Sequence, residues 1–215
     1  TLHSLRVGGA VVWNGINEIL RVRHPGMIAR IRHETWTRSD ALLAAGGCVP
    51  RALAGREVAL GPYPVASQFS RAVFETDADA YVLTIQPDVA TCLFRHRQDG
   101  FPLMAYDNET WPERDRQWLR DEFEPVGLLD VDASMENLAA IAGRLTARSG
   151  APVLVYNVSS IVPGDTVHCY AGLDETLATR IRRFNVALSD LSQRTGISIV
   201  DVDAVIARAG ADRLK

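Results

Sequence analysis

A cysteine that follows a glycine pair is the first feature of this chain that could carry out covalent chemistry. Residues 41–46 form a short apolar run that predicts a buried strand, and Gly47 and Cys48 come directly after it. Pro50 then stands where a helix would begin. A strand, a glycine turn and a helix N-terminus together predict an elbow that holds the Cys48 thiol at the carboxyl edge of a parallel sheet. The alternative is a buried structural cysteine, which would behave as a small apolar residue.

Three further residues predict a polar cluster at the same sheet edge. Asn157 ends the predicted fourth strand, His168 lies in the loop after it, and Asp203 follows the predicted fifth strand. His168 is the candidate general base, and its alternative is a loop histidine bonded to the backbone. Asp203 is placed either to orient a histidine or to cap the helix that follows.

Metal and nucleotide chemistry are not indicated by any motif. The chain contains no His-X-X-X-His and no Cys-X-X-Cys pair, so we expect no metal site. It also lacks the glycine-rich signatures that cradle phosphates, so we expect no cofactor.

Composition limits the classes of partner. The 215 residues are 47% hydrophobic and 23% charged, with a net charge of −3, so bulk electrostatics favour neither a nucleic acid nor a membrane partner. The longest apolar runs are far shorter than a membrane span, and no signal peptide opens the sequence. Three cysteines are too few for a disulfide framework and are typical of a reducing compartment, so we expect a cytoplasmic protein.

Strands alternate with helices from residue 41 onward. This alternation predicts an α/β fold with a doubly wound, flavodoxin-like parallel sheet of five strands flanked by helices. The predicted strands are 41–46, 57–60, 80–85, 152–157 and 197–202, and the predicted helices are 135–147, 174–194 and 203–209. Residues 41–215 would form this domain, with a polar insertion at about 95–134 that builds the rim of a site.

The first forty residues predict a separate extension. Residues 18–23 and 27–32 alternate apolar residues with arginines around His24-Pro25-Gly26, which indicates a β-hairpin. Its arginine face would bind an anionic ligand or a carrier, or would simply face solvent. The hairpin is equally suited to forming a homodimer, and the sequence leaves these alternatives open.

In order along the chain, four segments resemble the characteristic blocks of the SGNH/GDSL hydrolase superfamily. The first, 46–49, is similar to a divergent subgroup with a Gly-Ser-Cys-like block. The others are 58–63, whose Gly61 resembles the oxyanion glycine, 79–88, which resembles the third strand and the Gly-X-Asn-Asp block, and 195–203, which resembles the last strand.

The chain departs from this pattern at three places. Cys48 replaces the nucleophilic serine, and Gln86 or Asp88 stands where the family has a side-chain amide. The Asp-X-X-His block would follow the last residue, Lys215. We therefore expect either that the natural chain continues or that the usual base is lacking.

The resemblance implies acyl transfer from an ester or thioester, carried by a small molecule or a carrier protein. Cys48 would be the nucleophile and His168 with Asp203 the base and its partner. The oxyanion and substrate would be bound at Gly47, Gly61, Gln86, Asp88 and Asn157. The alternative is a catalytically silent SGNH-like domain that serves binding or assembly.

Overall fold

The structure is a computed structural model that describes residues 2–5, 22–26, 31–34, 36–54, 65–105, 111–162 and 169–209. Strands and helices are numbered along the chain. The main sheet consists of β1 (Leu2–Leu5), β2 (Ile31–Glu34), β3 (Ala80–Thr84), β7 (Val153–Tyr156) and β8 (Ser198–Val200). The second sheet consists of β4 (Leu93–His96), β5 (Pro102–Leu103) and β6 (Phe123–Gly127).

The helices vary widely in length. They are α1 (Ser39–Ala44), α2 (Val65–Gln68), α3 (Ala72–Glu75), α4 (Gln86–Ala90), α5 (Glu113–Glu122), α6 (Val131–Ser149), α7 (Leu177–Thr195) and α8 (Val202–Ala209). A 3-10 turn covers Arg51–Leu53. Helices α6–α8 confirm the three that the sequence predicted.

The five strands of the main sheet are all parallel and follow the order β2-β1-β3-β7-β8. Counted within this sheet, the order is second, first, third, fourth, fifth, which is the flavodoxin-like order. The chain reverses its direction of winding between β1 and β3. In such a sheet this switch point at the carboxyl ends of the strands is where ligands bind. The α/β class with parallel strands, predicted from the sequence, is confirmed.

The core explains why β3 and β7 lie in the centre of this sheet. Four of the five β3 residues are buried, and Tyr81, Leu83 and Val155 are essentially inaccessible to solvent. Helices α6 and α7 contribute Leu138, Ile141, Phe184 and Leu188 to the same cluster. Continuous burial of strand residues on both faces is typical of parallel sheets covered by helices.

Both long helices begin and end where their sequences indicate. The Asp130 carboxylate accepts hydrogen bonds from the N–H groups of Asp132 and Ala133 and so caps α6. Thr176 caps α7 by accepting the Thr179 N–H. Each helix ends at a glycine with positive φ, Gly150 at 68° and Gly196 at 75°, a conformation that disfavours any side chain.

The predicted first strand, residues 41–46, is wrong. Residues 39–44 form the helix α1 instead. Alanine and leucine are the strongest helix formers and the run contains no β-branched residue, so local propensity favours a helix. A short apolar run does not by itself distinguish a buried strand from a buried helix. The predicted strand at 57–60 lies outside the described residues.

The predicted N-terminal hairpin is also not what its described residues form. Val22 and Arg23, assigned to its first strand, are helical. Residues 31 and 32, the end of its predicted second strand, belong to β2, which pairs in parallel with β1 of the main sheet. These strand residues therefore belong to the α/β sheet itself, and the rest of the predicted hairpin lies outside the described residues.

The insertion between β3 and α6 forms the small antiparallel sheet β5-β4-β6 and the helix α5. Two buried arginines bind the two chain segments at which the insertion begins and ends. Arg38 donates hydrogen bonds to the carbonyl of Thr91 at 3.2 Å and to the carbonyl of Gly127 at 2.7 Å. These two residues lie at the start and the end of the insertion. Arg180 donates to the carbonyls of Val89 and Leu129 just outside them. Entry and exit of the insertion are thereby held together.

Candidate functional site

Cys48 does not lie in an elbow at the end of a strand. It follows α1 and precedes the 3-10 turn that starts at Arg51, and its thiol is exposed. The predicted elbow is therefore wrong, because the element before it is a helix. The alternative of a buried structural cysteine is wrong as well.

Gly47 makes a structural hydrogen bond with its backbone N–H. This N–H donates to the Phe69 carbonyl at 2.9 Å, which engages the donor that an oxyanion hole would require. Gly47 has φ of +84°, and a Cβ there would lie 3.4 Å from the Arg71 side chain. The glycine is thus explained by the conformation of this turn.

The loop that carries Cys48 is bound to the β2 side of the main sheet. Phe69, the partner of Gly47, is followed by Ser70, whose hydroxyl donates to the Glu34 carboxylate at 3.4 Å. Glu34 is the last residue of β2, the edge strand. This chain of contacts places Cys48 near one edge of the sheet.

Asp203 lies near the opposite edge. Its carboxylate accepts hydrogen bonds from the backbone N–H and the hydroxyl of Ser160, at 2.7 and 3.1 Å. Its own N–H donates to Asn157 Oδ1 at 3.1 Å, and Asn157 Nδ2 donates to Asp201 at 2.8 Å. The group binds the loop after β7 to the start of α8. Hydrogen bonds from the Ala204 N–H and from Asn157 hold the pKa of Asp201 below its usual value.

The described contacts associate the Cys48 loop with the β2 edge of the sheet and Asp203 with the β7 and β8 side. Four strand spacings separate β2 from β8, which at ~4.8 Å each amount to about 19 Å. A single imidazole that bonds both a nucleophile and a carboxylate bridges roughly 8 Å. The predicted base, His168, and the predicted oxyanion glycine, Gly61, lie outside the described residues.

Asp88 is a structural residue of the interior rather than a ligand-binding one. Its side chain is fully buried, accepts the Ser39 N–H at 2.8 Å and accepts the Ser134 hydroxyl at 2.6 Å. Burial raises the pKa of this carboxyl, and the hydrogen bonds from Ser134 and Ser39 oppose that rise. Asn137 extends the network by donating to the Ser39 hydroxyl.

Gln86 is a predicted residue that lies at the expected ligand position. It begins α4 directly after β3, at the switch point, and its side chain is exposed. Its N–H donates to the Thr84 hydroxyl at 3.2 Å. Its amide is thus at the carboxyl edge and accessible to a ligand.

The sequence did not reveal the buried polar residues whose hydrogen bonds connect separate elements near the carboxyl edge of the main sheet. Arg38, Ser39, Ser134 and Arg180 are buried polar residues, and their partners lie 46 to 98 positions away for the bonds that join separate elements. Local patterns carry no signal for such distant partners. His96 is likewise buried, stacked on Phe101 at 4.7 Å, in the core of the insertion.

None of the protein-family models matches this chain, and no curated protein sequence matches it. Among solved structures, the chain is similar to the crystal structure of an extracellular lipase from Streptomyces rimosus. The two share 12% identity over 96% of this chain and 81% of the lipase chain, with a TM-score of 0.43. A likeness this distant carries no conclusion about the family, activity or substrate of this chain.

Within the described ranges, no cluster of three or more histidine, cysteine or carboxylate side chains is arranged to hold a metal ion. No helix of the described part has both the length and the apolar character needed to cross a bilayer. A polar cavity lies by Asp77, Asp79 and Arg148, at the amino-terminal edge of the sheet, away from the expected ligand position.

Proposed function

We propose that this chain is a catalytically silent, SGNH-like α/β domain that serves binding or assembly at the carboxyl edge of its parallel sheet. The proposal is supported by the contacts of the two predicted catalytic residues, which belong to opposite sides of the sheet. The contacts of Gly47 and Ser70 associate the cysteine with β2, while Ser160 and Asn157 associate the aspartate with β7 and β8. The predicted triad would require these two groups to share one base.

The segment that follows β1 supports the same proposal. In a sheet of this order, the turn after β1 is the place from which a nucleophile would face the switch point. Residues 6–21 contain no serine, threonine, cysteine, tyrosine or histidine. This segment therefore has no hydroxyl or thiol side chain to attack a carbonyl.

The hydrogen bonds made by the other predicted site residues also support a catalytically silent domain. Asp88 binds Ser39 and Ser134 in the interior, and Asn157 binds Asp201. These side chains stabilise loops at the carboxyl edge. Gln86, with its exposed amide, is the group we expect to contact a ligand there.

Hydrolysis of a short-chain nitrophenyl ester and of an acyl thioester by the full chain tests this proposal. We expect no saturable turnover. Slow thiolysis by exposed cysteines would decrease similarly in Cys48→Ala and in the control Cys92→Ala, whose thiol is also exposed. Saturable turnover that is lost in Cys48→Ala and retained in Cys92→Ala would contradict the proposal.

A further inference from the structure

Four exposed apolar side chains lie beside the N-termini of α6 and α7. They are Leu128, Tyr170, Leu173 and Leu177, with exposed fractions of 49, 43, 54 and 47%. Among the described residues they make up half of the eight large apolar side chains that are exposed. Single exposed apolar residues are ordinary, but a group of them marks an interaction surface. We refer to these four residues as the leucine patch.

The Arg180 guanidinium brings the two segments of the leucine patch together. It donates to the carbonyl of Leu129, next to Leu128, and to the carboxylate of Glu175 at 3.3 Å. Glu175 lies between Leu173 and Leu177. Because one guanidinium bonds both segments, the segment of Leu128 lies next to the segment of Leu173 and Leu177.

The leucine patch is held in a defined conformation. The Leu173 N–H donates to the Tyr170 carbonyl at 3.2 Å across a turn in which Gly172 has φ of +72°. Thr176 caps α7 and fixes the start of the helix that presents Leu177. A surface ordered before binding loses less conformational entropy when a partner docks.

The two segments that carry the leucine patch, taken with the two arginines paired to them, have a net negative charge. Residues 128–136 and 169–177 contain five carboxylates and no lysine, arginine or histidine. Glu175 is paired with Arg180 and Arg183, and Asp130 caps α6. Asp132, Glu136 and Asp174 are exposed and belong to the same two segments as the apolar residues.

We propose that the leucine patch docks a basic amphipathic helix of a partner protein, an inference that rests on the assembly role proposed above. The apolar centre suits leucine-like side chains at positions i, i+3, i+4 and i+7 of a helix, and the carboxylates suit lysine or arginine beside them. A second copy of this chain fits poorly, because its own carboxylates would face these. An anionic lipid surface is repelled for the same reason.

Binding of a synthetic helix of roughly 18 residues, with leucines on one face and lysines on the other, tests the inference. Fluorescence anisotropy with the full chain is expected to show saturable binding that weakens as salt is raised. A helix of the same pattern with glutamate in place of lysine is expected not to bind. The double variant Leu173→Ser, Leu177→Ser is expected to raise Kd about tenfold or more.

A matched variant controls for general stickiness. Val186 and Val205 are 64 and 62% exposed on other surfaces, so Val186→Ser, Val205→Ser should leave Kd within about twofold. Equal binding of the lysine and glutamate helices would overturn the proposal, as would a Kd that the leucine variant does not change. Self-association or binding to phosphatidylcholine vesicles that disappears in the leucine variant would assign the surface to a second copy or to lipid, and would also overturn it.

The two proposals fail in distinguishable ways. Cys48-dependent turnover would contradict the silent domain and leave the peptide result unaffected. Failure of the lysine helix to bind, in a chain without turnover, would contradict only the docking surface.

Discussion

The Asp88 carboxylate accepts a hydrogen bond of 2.8 Å from the backbone N–H of Ser39, the first residue of α1. Arg38, at the N-cap position of α1, offers no side-chain cap, so Asp88, which is 49 positions after Ser39, takes that role. The Ser134 hydroxyl completes the arrangement from α6. A residue in a block that resembles a catalytic motif therefore connects three elements of the fold.

Replacement of Asp88 by asparagine should remove a pH dependence without unfolding the chain. Because burial raises its pKa above the usual 3.8, the folded state favours the protonated carboxyl. Its contribution to stability is fully present below pH 3.8 and is lost as pH rises through the raised pKa. Asparagine can still accept from Ser39 and donate to Ser134. We therefore expect that the free energy of unfolding of Asp88→Asn, measured by urea denaturation, no longer falls as pH rises through this range.

Two controls identify the source of the effect. The exposed Asp190→Asn removes one carboxylate from the surface and is the matched control for the change of charge. Asp88→Ala should cost about 2–4 kcal/mol, since it leaves two buried donors without a partner. An unchanged pH curve in Asp88→Asn would show that the carboxyl does not titrate differently in the folded state.

Arg180 should be one of the most sensitive positions outside the apolar core. Its guanidinium donates to the carbonyls of Val89, Asp88 and Leu129. Arg180→Met should lower the free energy of unfolding by roughly 2–4 kcal/mol, because buried carbonyls lose a charged donor. Arg182→Met, at an exposed position of the same helix, should change it by less than about 0.5 kcal/mol. Chemical denaturation measures both variants. If Arg180→Met and Arg182→Met lowered the free energy of unfolding equally, the stabilising role of the Arg180 guanidinium would be refuted.

Two glycines of the α6 region should respond to alanine in opposite directions. Gly143 lies inside the helix, and an added Cβ there would meet no atom within 4 Å, so Gly143→Ala should stabilise by about 0.5–1 kcal/mol. Gly150 has φ of +68°, and Gly150→Ala should destabilise by roughly 1 kcal/mol despite similar free space. Thermal unfolding of the two variants measures the difference, and a shared sign would contradict the helix boundary.

The three cysteines should all react in the folded protein. Cys48, Cys92 and Cys169 are exposed, so a thiol reagent should label three equivalents without denaturant. Labelling of only two, with Cys48 protected in peptide maps, would contradict the exposed position of its loop.

Strong local patterns predicted much of the fold correctly. The strands β3, β7 and β8 and the helices α6–α8 have continuous apolar runs or sustained helical periodicity, with glycine stops at Gly150 and Gly196. The segment 41–46 failed because its length and composition suit both strand and helix, and the contact that decides, from Asp88 to Ser39, is remote in sequence.

The candidate site was less predictable for the same physical reason. Predicting Cys48 as a nucleophile depended on the element before it being a strand. Once that element is the helix α1, the cysteine belongs to a loop near the β2 edge, while Asp203 stays near β8. Which side chains meet across a sheet depends on strand order, and β1 and β2 come from residues whose patterns predicted a separate extension.

Intact-protein mass spectrometry after incubation with activated esters and thioesters tests the central claim most directly. Wild type is compared with Cys48→Ala and with Cys92→Ala as a matched exposed thiol. The silent domain predicts no stoichiometric acyl adduct specific to Cys48, only slow labelling shared among the cysteines. A rapid, stoichiometric adduct that disappears in Cys48→Ala and persists in Cys92→Ala would contradict it.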